Sequence, residues 1–297
     1  MTSATDDIRS ALADNFGIVT RALYSISFAH RATWNNEEDY LSNLYQAINT
    51  SGLARGIPVT TPKSNYFLLV ECEKIHKTIW VDFLSNGLRQ RCEIGDILLV
   101  AKYRDPQGIV SRCSCFIQVK VARKRLIDSW EINKTQLDFY SNWPMIQACY
   151  VQYFKKKDVF STNLKISPRN RLFSPYLLLG RTWNSNLLCG PSPWITGADL
   201  VSAASIQKNR IQAPLEVPFF THLLQMLFQA TGENDYVNYH SQNRGVSNLV
   251  DSLLNYVHLN DPPEGEGKPF LVILLTVKAE QKHQEGSYRD KNAARRT

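Results

Sequence analysis

Apolar side chains recur every three or four positions in two stretches near the start of the chain, residues 8–24 and 36–49. That spacing places the apolar side chains on one face of a helix, so it predicts two amphipathic helices. Acidic residues crowd the first turn of the second stretch and Gly52 follows its end, as is typical of helix boundaries.

The pattern then changes to short apolar runs that are rich in strand-forming residues and separated by glycine and polar turns. These runs predict strands over residues 65–72, 78–83, 94–103, 115–122 and 270–278. Helical spacing returns over residues 134–142, 218–231 and 247–257. Pro144 ends the first of these helices, because proline cannot continue the hydrogen-bond ladder.

The order of these elements is typical of an α/β or α+β fold in which helices flank a mixed sheet. We expect a core over residues 1–145 and an accessory α+β region, with no assigned role, over residues 146–280. Residues 281–297 read as a disordered basic tail. The chain has 297 residues, which is enough to bury a core without disulfides or structural metals.

The charge of the chain is unbalanced, with 34 Lys and Arg residues against 27 Asp and Glu residues and a formal net charge of +7. A basic excess favours a polyanionic partner such as nucleic acid. The longest apolar run, residues 270–277, is far shorter than the roughly 20 residues of a membrane helix, so we expect no membrane partner. With no signal segment and no Cys-x-x-Cys pair, the six cysteines are expected to be free thiols in the cytoplasm.

Two polar side chains interrupt the strand predicted over residues 115–122. Because side chains alternate between the two faces of a strand, Ile117 and Val119 point into the core. Gln118 and Lys120 then lie side by side on the other face, where a buried amide and ammonium need polar partners. Asp96 opens the preceding apolar strand, and pairing of the two strands as a hairpin would bring its carboxylate to this face.

Such a set of groups suits the hydrolysis of phosphodiester bonds. Mg²⁺ or Mn²⁺ prefers oxygen ligands, which Asp96 and, more weakly, the Gln118 carbonyl would supply. The ion polarises the phosphate and activates a bound water, while Lys120 orients that water and stabilises the developing charge. A carboxylate from the second helix would complete the site, either Glu37, which shares the apolar face, or its neighbour Glu38.

Basic residues continue beyond this strand. Arg123, Lys124 and Arg125 are candidates for contacts with the phosphate backbone of a nucleic acid. A second basic run at residues 155–157 either extends that track or is an ordinary solvated turn. The aromatic residues of the second half, Tyr176 among them, are expected to fill the core rather than to stack on bases.

The set of Asp96, Gln118 and Lys120 resembles the PD-(D/E)XK nuclease superfamily, in the variant where glutamine replaces the second acidic residue. The Gln-Val-Lys-Val run with basic residues after it is similar to the Mrr-type restriction endonucleases. The resemblance covers roughly residues 36–143, about a third of the chain. Gly95 stands where the superfamily has its proline.

The resemblance implies a restriction-endonuclease-like core of mixed β-sheet flanked by helices. In that family Asp96 would be the metal ligand, Gln118 would occupy the (D/E) position, and Lys120 would be the catalytic lysine. The helical glutamate of the family would fall on Glu37 or Glu38. The implied function is magnesium-dependent endonuclease activity on DNA in preference to RNA, in restriction, antiviral defence or repair.

This function requires the three groups to converge in a cleft that solvent can reach. One alternative is a catalytically inactive, nuclease-like module that binds nucleic acid. Another is a structural or interaction protein in which Asp96 and Lys120 form only an ion pair. The sequence leaves open whether the chain forms a homo-oligomer.

Overall fold

The computed structural model describes residues 4–28, 36–62, 65–75, 77–105, 108–121, 130–153, 156–166, 174–179, 198–201, 206–207, 210–211, 217–230, 244–259 and 269–280. Within these ranges the helices are α1 (Ala4–Asp14), α2 (Phe16–Phe28), α3 (Glu37–Thr50), α4 (Lys134–Asn142), α5 (Phe219–Ala230) and α6 (Arg244–Leu259), with a 3-10 helix at Leu53–Arg55.

The strands in the first half are β1 (Ile57–Thr60), β2 (Asn65–Ile75), β3 (Ile79–Ser85), β4 (Leu88–Glu93), β5 (Ile97–Asp105) and β6 (Gly108–Val121). Those in the second half are β7 (Ile146–Tyr153), β8 (Lys156–Leu164), β9 (Tyr176–Leu179), β10 (Ala198–Val201), β11 (Ile206–Gln207), β12 (Arg210–Ile211), β13 (Val217–Pro218) and β14 (Phe270–Ala279).

The described strands form two main sheets, so the fold is mixed α+β as expected. The larger is an eight-stranded mixed sheet in the order β1-β2-β14-β5-β6-β9-β10-β13. In it β14 runs parallel to β5 and β6 runs parallel to β9, while the other neighbours are antiparallel. The smaller is an antiparallel sheet in the order β4-β3-β7-β8. Strands β11 and β12 form a separate short pair.

Both faces of the large sheet are buried, because alternate residues of its central strands belong to different hydrophobic cores. Ile97 and Leu99 pack with α1, α2, α3 and α5 on one face. Leu98 and Val100 pack with the four-stranded sheet, α4 and α6 on the other. A polar side chain on either face of this sheet therefore lies in the interior and needs a partner there.

The first helix differs from the prediction, because a break at Asn15 separates α1 from α2 where one helix was expected. The Asn15 side chain donates hydrogen bonds to the carbonyls of Ala11 (2.9 Å) and Thr60 (2.8 Å), so it joins this break to the end of β1. The next helix, α3, begins as predicted, with Asn36 Oδ1 accepting from the Asp39 amide at 2.8 Å.

Strand β4 was missed in the sequence because its residues are mostly polar. It follows a tight hairpin in which Asn86 and Gly87 take positive φ angles of 51° and 77°, the conformation that Asn-Gly favours in two-residue turns. Strands β7 and β8 were missed for a related reason. One face of each strand packs on the core and the other carries polar residues, so neither forms a continuous apolar run.

Strands from both halves of the chain share the two sheets. Strand β14, from near the C-terminus, lies between β2 and β5 in the large sheet. Strand β7 pairs with β3 in the small sheet. A boundary at residue 145 would therefore separate strands that pair with each other in both sheets. The tail predicted over residues 281–297 lies outside the described residues.

None of the helices that the structure describes is long and apolar enough to cross a membrane. Five cysteines are described, all buried and free of disulfides, as expected: Cys72, Cys92, Cys113, Cys115 and Cys149. Cys189 is outside the described ranges.

Candidate active site

Asp96 is held at the start of β5 by backbone hydrogen bonds to both neighbouring strands. Its amide donates to the Ile117 carbonyl of β6 at 2.8 Å, and its carbonyl accepts from the Leu271 amide of β14 at 2.9 Å. The carboxylate points at β6, where Oδ2 accepts hydrogen bonds from the Gln118 side-chain amide and from the Val119 backbone amide, the latter at 2.7 Å. The hairpin expected from the sequence therefore brings Asp96 and Gln118 into contact.

The backbone conformation at Gly95, the residue before Asp96, excludes proline from this position. Its φ angle is +155°, which proline cannot adopt. A Cβ atom at this position would lie 3.0 Å from the Tyr140 hydroxyl and 3.2 Å from the Ile117 carbonyl oxygen. That hydroxyl donates to the Ile94 carbonyl at 2.7 Å, so α4 is fixed directly against the turn that carries Asp96.

Gln136 of α4 is a member of the site that the sequence did not reveal. Its side-chain amide donates to the Gln118 carbonyl oxygen and, at 3.1 Å, to the backbone carbonyl of Glu93. Asp96, Gln118 and Gln136 thus form a continuous chain of hydrogen bonds, in which each buried group has a partner. The one available signal was a glutamine on the face of α4 that also carries the buried Phe139.

Lys120 lies two residues beyond Gln118 on β6, and its ammonium group pairs with Glu37 at the start of α3. Lys120 Nζ lies 2.9 Å from Glu37 Oε1, and the two side chains are 14% and 25% exposed. The sequence left Glu37 and Glu38 open, and the structure places Glu37 beside Lys120 while Glu38 is exposed. Lys120 therefore pairs with Glu37, whereas one alternative expected an ion pair with Asp96.

The burial of the site differs from the solvent-reached cleft that we expected. Asp96 is 2% exposed and Gln118 is fully buried. Only the Lys120–Glu37 pair keeps partial contact with solvent. The physical reason is the covering layer, because α4 places Gln136 and Tyr140 over the start of β5 and the end of β6.

Tyr176, on β9, is a buried polar group beside the site whose hydroxyl has no hydrogen-bond partner among the described residues. It lies opposite Gln118 in the register of β6 and β9. Burial raises the pKa of its hydroxyl, and the nearby Asp96 carboxylate raises it further. A buried hydroxyl without a partner costs about 1–3 kcal/mol, so a water or ligand atom at this position would stabilise the protein. As expected, the ring itself fills the core.

The donors present fit a magnesium or manganese ion in part. Such ions are commonly held by one or two carboxylates together with waters and substrate phosphates. Asp96 supplies one carboxylate, while the Glu37 carboxylate pairs with Lys120. The Gln118 carbonyl fits less well, because it already accepts a hydrogen bond from Gln136. Among the described residues, no group of three or more His, Cys, Asp or Glu side chains is placed to hold a metal.

The basic turn predicted to contact nucleic acid, Arg123, Lys124 and Arg125, lies outside the described residues. Comparison with known proteins finds no matching family model, no matching curated protein and no matching solved structure.

Proposed function

We propose that this chain is a metal-dependent nuclease that hydrolyses phosphodiester bonds in nucleic acid, DNA in preference to RNA. The observation that carries the proposal is the contact between the Asp96 carboxylate and the Gln118 amide, with the Lys120–Glu37 ion pair next along the same strand. These are the residues that the resemblance to PD-(D/E)XK nucleases singled out from the sequence.

We assign α3, β5, β6, α4 and β9 to a restriction-endonuclease-like core. The arrangement of strands supports this assignment, because β5 and β6 form an antiparallel hairpin and β9 adds to β6 in parallel. Helix α3 packs on one face of the sheet and α4 on the other, so the sheet is flanked by helices as that core requires.

In the proposed reaction Asp96 would hold Mg²⁺ or Mn²⁺, and the Val119 amide and Gln118 keep the Asp96 carboxylate oriented. The ion supplies a polarised phosphate and a water of lowered pKa. Lys120 would exchange Glu37 for a phosphate oxygen, and its ammonium group would stabilise the charge that develops there in the transition state. Glu37 positions that group before substrate binds.

The biological setting follows from the resemblance alone, as restriction, antiviral defence or repair. In this setting Arg123, Lys124 and Arg125 contact the substrate backbone, since they begin three residues after Lys120 in the chain.

A catalytically inactive module that binds nucleic acid is the second candidate. It is favoured by the burial of Asp96 and by the hydrogen bonds that already engage both the nitrogen and the oxygen of the Gln118 side-chain amide. In this candidate the Asp96–Gln118–Gln136 chain stabilises the fold, and no ion enters. The active candidate instead requires the cover over Asp96 to open when substrate and ion bind.

Cleavage of plasmid DNA, single-stranded DNA and RNA, each with Mg²⁺, Mn²⁺ or EDTA, separates the two candidates. Nuclease function predicts cleavage that needs a divalent ion and that the Lys120→Ala variant loses while it stays folded. The matched control is Lys134→Ala, which removes an exposed lysine of α4 and should cleave like the wild type. Equal cleavage by the Lys120→Ala variant would remove this assignment of the site. Binding of nucleic acid without cleavage under any of these conditions would establish the inactive module instead.

A further inference from the structure

The outer face of the four-stranded sheet carries three cations around one buried carboxylate, and the proposed catalytic site uses none of them. Asp82 of β3 is 1% exposed. Its carboxylate lies 2.8 Å from Arg89 Nη2, 2.9 Å from Arg91 Nε and 3.8 Å from Lys157 Nζ. We call these four residues the Asp82 cluster. One carboxylate balances only one of the three cations, so the cluster keeps an excess of two positive charges.

The position of the cluster follows from strand alternation. Val81 and Phe83 belong to the core between the two sheets, so Asp82, between them, points to the outer side. Arg91 lies directly opposite Asp82 in the register of β3 and β4. Arg89 is two residues from Arg91 on the same face, a spacing of about 7 Å along the strand.

The cations are held in place before any ligand binds. The Tyr150 hydroxyl donates to Asp82 at 3.0 Å. The Arg91 guanidinium and the Lys157 ammonium lie over the Tyr150 ring, 5.5 Å and 4.1 Å from its centroid. Burial opposes ionisation of Asp82, but hydrogen bonds from Arg91 and Arg89 outweigh it and lower the carboxyl pKa. The carboxylate therefore stays charged and fixes its neighbours at neutral pH.

The three cations of the cluster are more exposed to solvent than the carboxylate that they surround. The side chain of Asp82 is 2% exposed, whereas those of Arg89, Arg91 and Lys157 are 68%, 43% and 39% exposed. A ligand that approaches this face meets fixed cations and cannot reach the carboxylate beneath them. Because fewer side-chain rotations are lost on binding, ordered cations bind a polyanion with a smaller entropic penalty than freely moving ones.

We propose that the Asp82 cluster is a docking surface for the phosphate backbone of a nucleic acid, separate from the site at Asp96. The proposal rests on the proposed function for its choice of partner, but it does not require that the chain cleaves what it binds. Charge complementarity supports it, since guanidinium groups suit phosphate oxygens and the chain as a whole carries +7. Lys157 also belongs to the basic run at residues 155–157, so in this proposal that run contributes a phosphate contact to the docking surface.

Two exposed apolar residues, Leu84 and Val159, each lie two positions along a strand from a member of the Asp82 cluster, and they define the competing occupant. An acidic protein would use the apolar side chains together with the cations. A nucleic acid backbone would use the cations alone. The salt dependence of binding distinguishes these partners, because release of counterions from nucleic acid makes its binding fall steeply with salt.

The test is binding of a fluorescent DNA duplex to the full chain in EDTA, which prevents metal-dependent cleavage, between 50 and 200 mM salt. The test variant combines Arg89→Gln and Arg91→Gln, since glutamine keeps a donor for Asp82 and removes the charge. The slope of log K against log salt is negative, and loss of two phosphate contacts should reduce its magnitude by about 1.8. Between 50 and 200 mM salt this corresponds to a roughly 12-fold smaller change in affinity.

The matched control combines Arg9→Gln and Arg55→Gln. These exposed arginines lie on α1 and the 3-10 helix, against the opposite face of the large sheet, and their loss changes the net charge equally. The control should keep the wild-type slope. The single variant Lys157→Ala, which removes the most distant cation from Asp82, should reduce the magnitude of the slope by about 0.9 even if the double variant folds poorly.

An unchanged slope in both cluster variants would overturn the proposal, and so would an equal decrease in the control. Wild-type chain that binds polyglutamate or anionic vesicles but no duplex would also overturn it, by showing a different partner. A cluster-dependent slope without cleavage in Mg²⁺ or Mn²⁺ would support the docking surface and refute the nuclease, so the two failures are distinguishable.

Discussion

The side-chain amide of Gln118 donates a hydrogen bond to the carboxylate of Asp96, although the two residues lie 22 positions apart and on different strands. A neutral amide beside a buried carboxylate satisfies it without adding charge. A second carboxylate at the same position would repel it. The identity of residue 118 therefore determines whether this site is stable without a cation.

The Gln118→Glu variant tests this relationship. In EDTA at pH 8 we expect it to lower the free energy of unfolding by roughly 3 kcal/mol, because an uncompensated charge is buried against Asp96. If an ion binds at Asp96, Mn²⁺ should raise the melting temperature of this variant more than that of the wild type.

Thermal unfolding with and without Mn²⁺ measures both effects, and Gln46→Glu provides the matched control. Gln46 is exposed on α3, so this control makes the same charge change without burial and should show neither effect. A Gln118→Glu variant as stable in EDTA as the wild type would show that the two side chains do not share a buried site. An instability that Mn²⁺ fails to reverse would argue against an ion at Asp96.

Glu37 and Glu38 offer a second matched pair, because they are adjacent acidic residues of which only Glu37 contacts Lys120. Glu37→Gln removes the partner that positions the lysine, and by analogy with supporting residues in metal sites we expect cleavage to slow about 10–100-fold. Stability should change by less than about 1 kcal/mol, because the ion pair is partly exposed.

Single-turnover cleavage rates check the effect of Glu37→Gln, with Glu38→Gln expected to match the wild type. Equal losses in both variants would show that general charge near α3 matters, rather than the contact with Lys120. No loss in either variant would mean that Glu37 has no part in the reaction.

The contact between Asp96 and Gln118 could be predicted because it depends on local rules. Two apolar strands joined by a short connection pair as a hairpin, and alternation then places Gln118 on one face and Val119 on the other. Both features can be read from a few consecutive residues. The sequence narrows the helical carboxylate to Glu37 or Glu38 but cannot choose between them. The rotation of α3 about its own axis decides which one faces Lys120, and that rotation depends on packing against distant strands.

Other features depend on long-range contacts that the sequence pattern does not encode. The central position of β14 requires residues 271 and 97 to meet, and its apolar run fits any buried strand. The contact of Gln136 with Gln118 joins a helix and a strand, and a glutamine on a helix is usually solvated. The burial of Asp96 follows from these contacts, so an open cleft was expected where the structure has a covered one.

Gly95 and Gly17 should respond to alanine in opposite directions. At Gly95 the φ angle of +155° and the nearby Tyr140 hydroxyl both oppose a Cβ atom, so Gly95→Ala should destabilise the protein by about 1–3 kcal/mol. At Gly17, in the first turn of α2, a Cβ atom would meet open space, so Gly17→Ala should stabilise by roughly 0.5 kcal/mol. Urea unfolding measures both, and a neutral Gly95→Ala would mean that the turn before Asp96 is not constrained as described.

His222 should make the stability of the protein depend on pH in the mildly acidic range. It is fully buried in α5, with Nε2 3.3 Å from Cys115 Sγ, and burial lowers its pKa to about 3. The unfolded chain takes up a proton near pH 6.5 while the folded chain does not, so stability is complete above that pH and falls as pH decreases toward 3. At pH 5 the expected loss is about 2 kcal/mol.

Urea unfolding of the wild type and of the His222→Leu variant at pH 7.5, 6 and 5 checks this dependence. The variant cannot bind the proton, so its stability should fall less over the same interval, whatever its stability at pH 7.5. The His222→Gln variant keeps a polar partner for Cys115 and should show the same reduced dependence. If all three proteins lost stability equally between pH 7.5 and pH 5, the titrating group would lie elsewhere, and His222 would have to be protonated or exposed in the folded state.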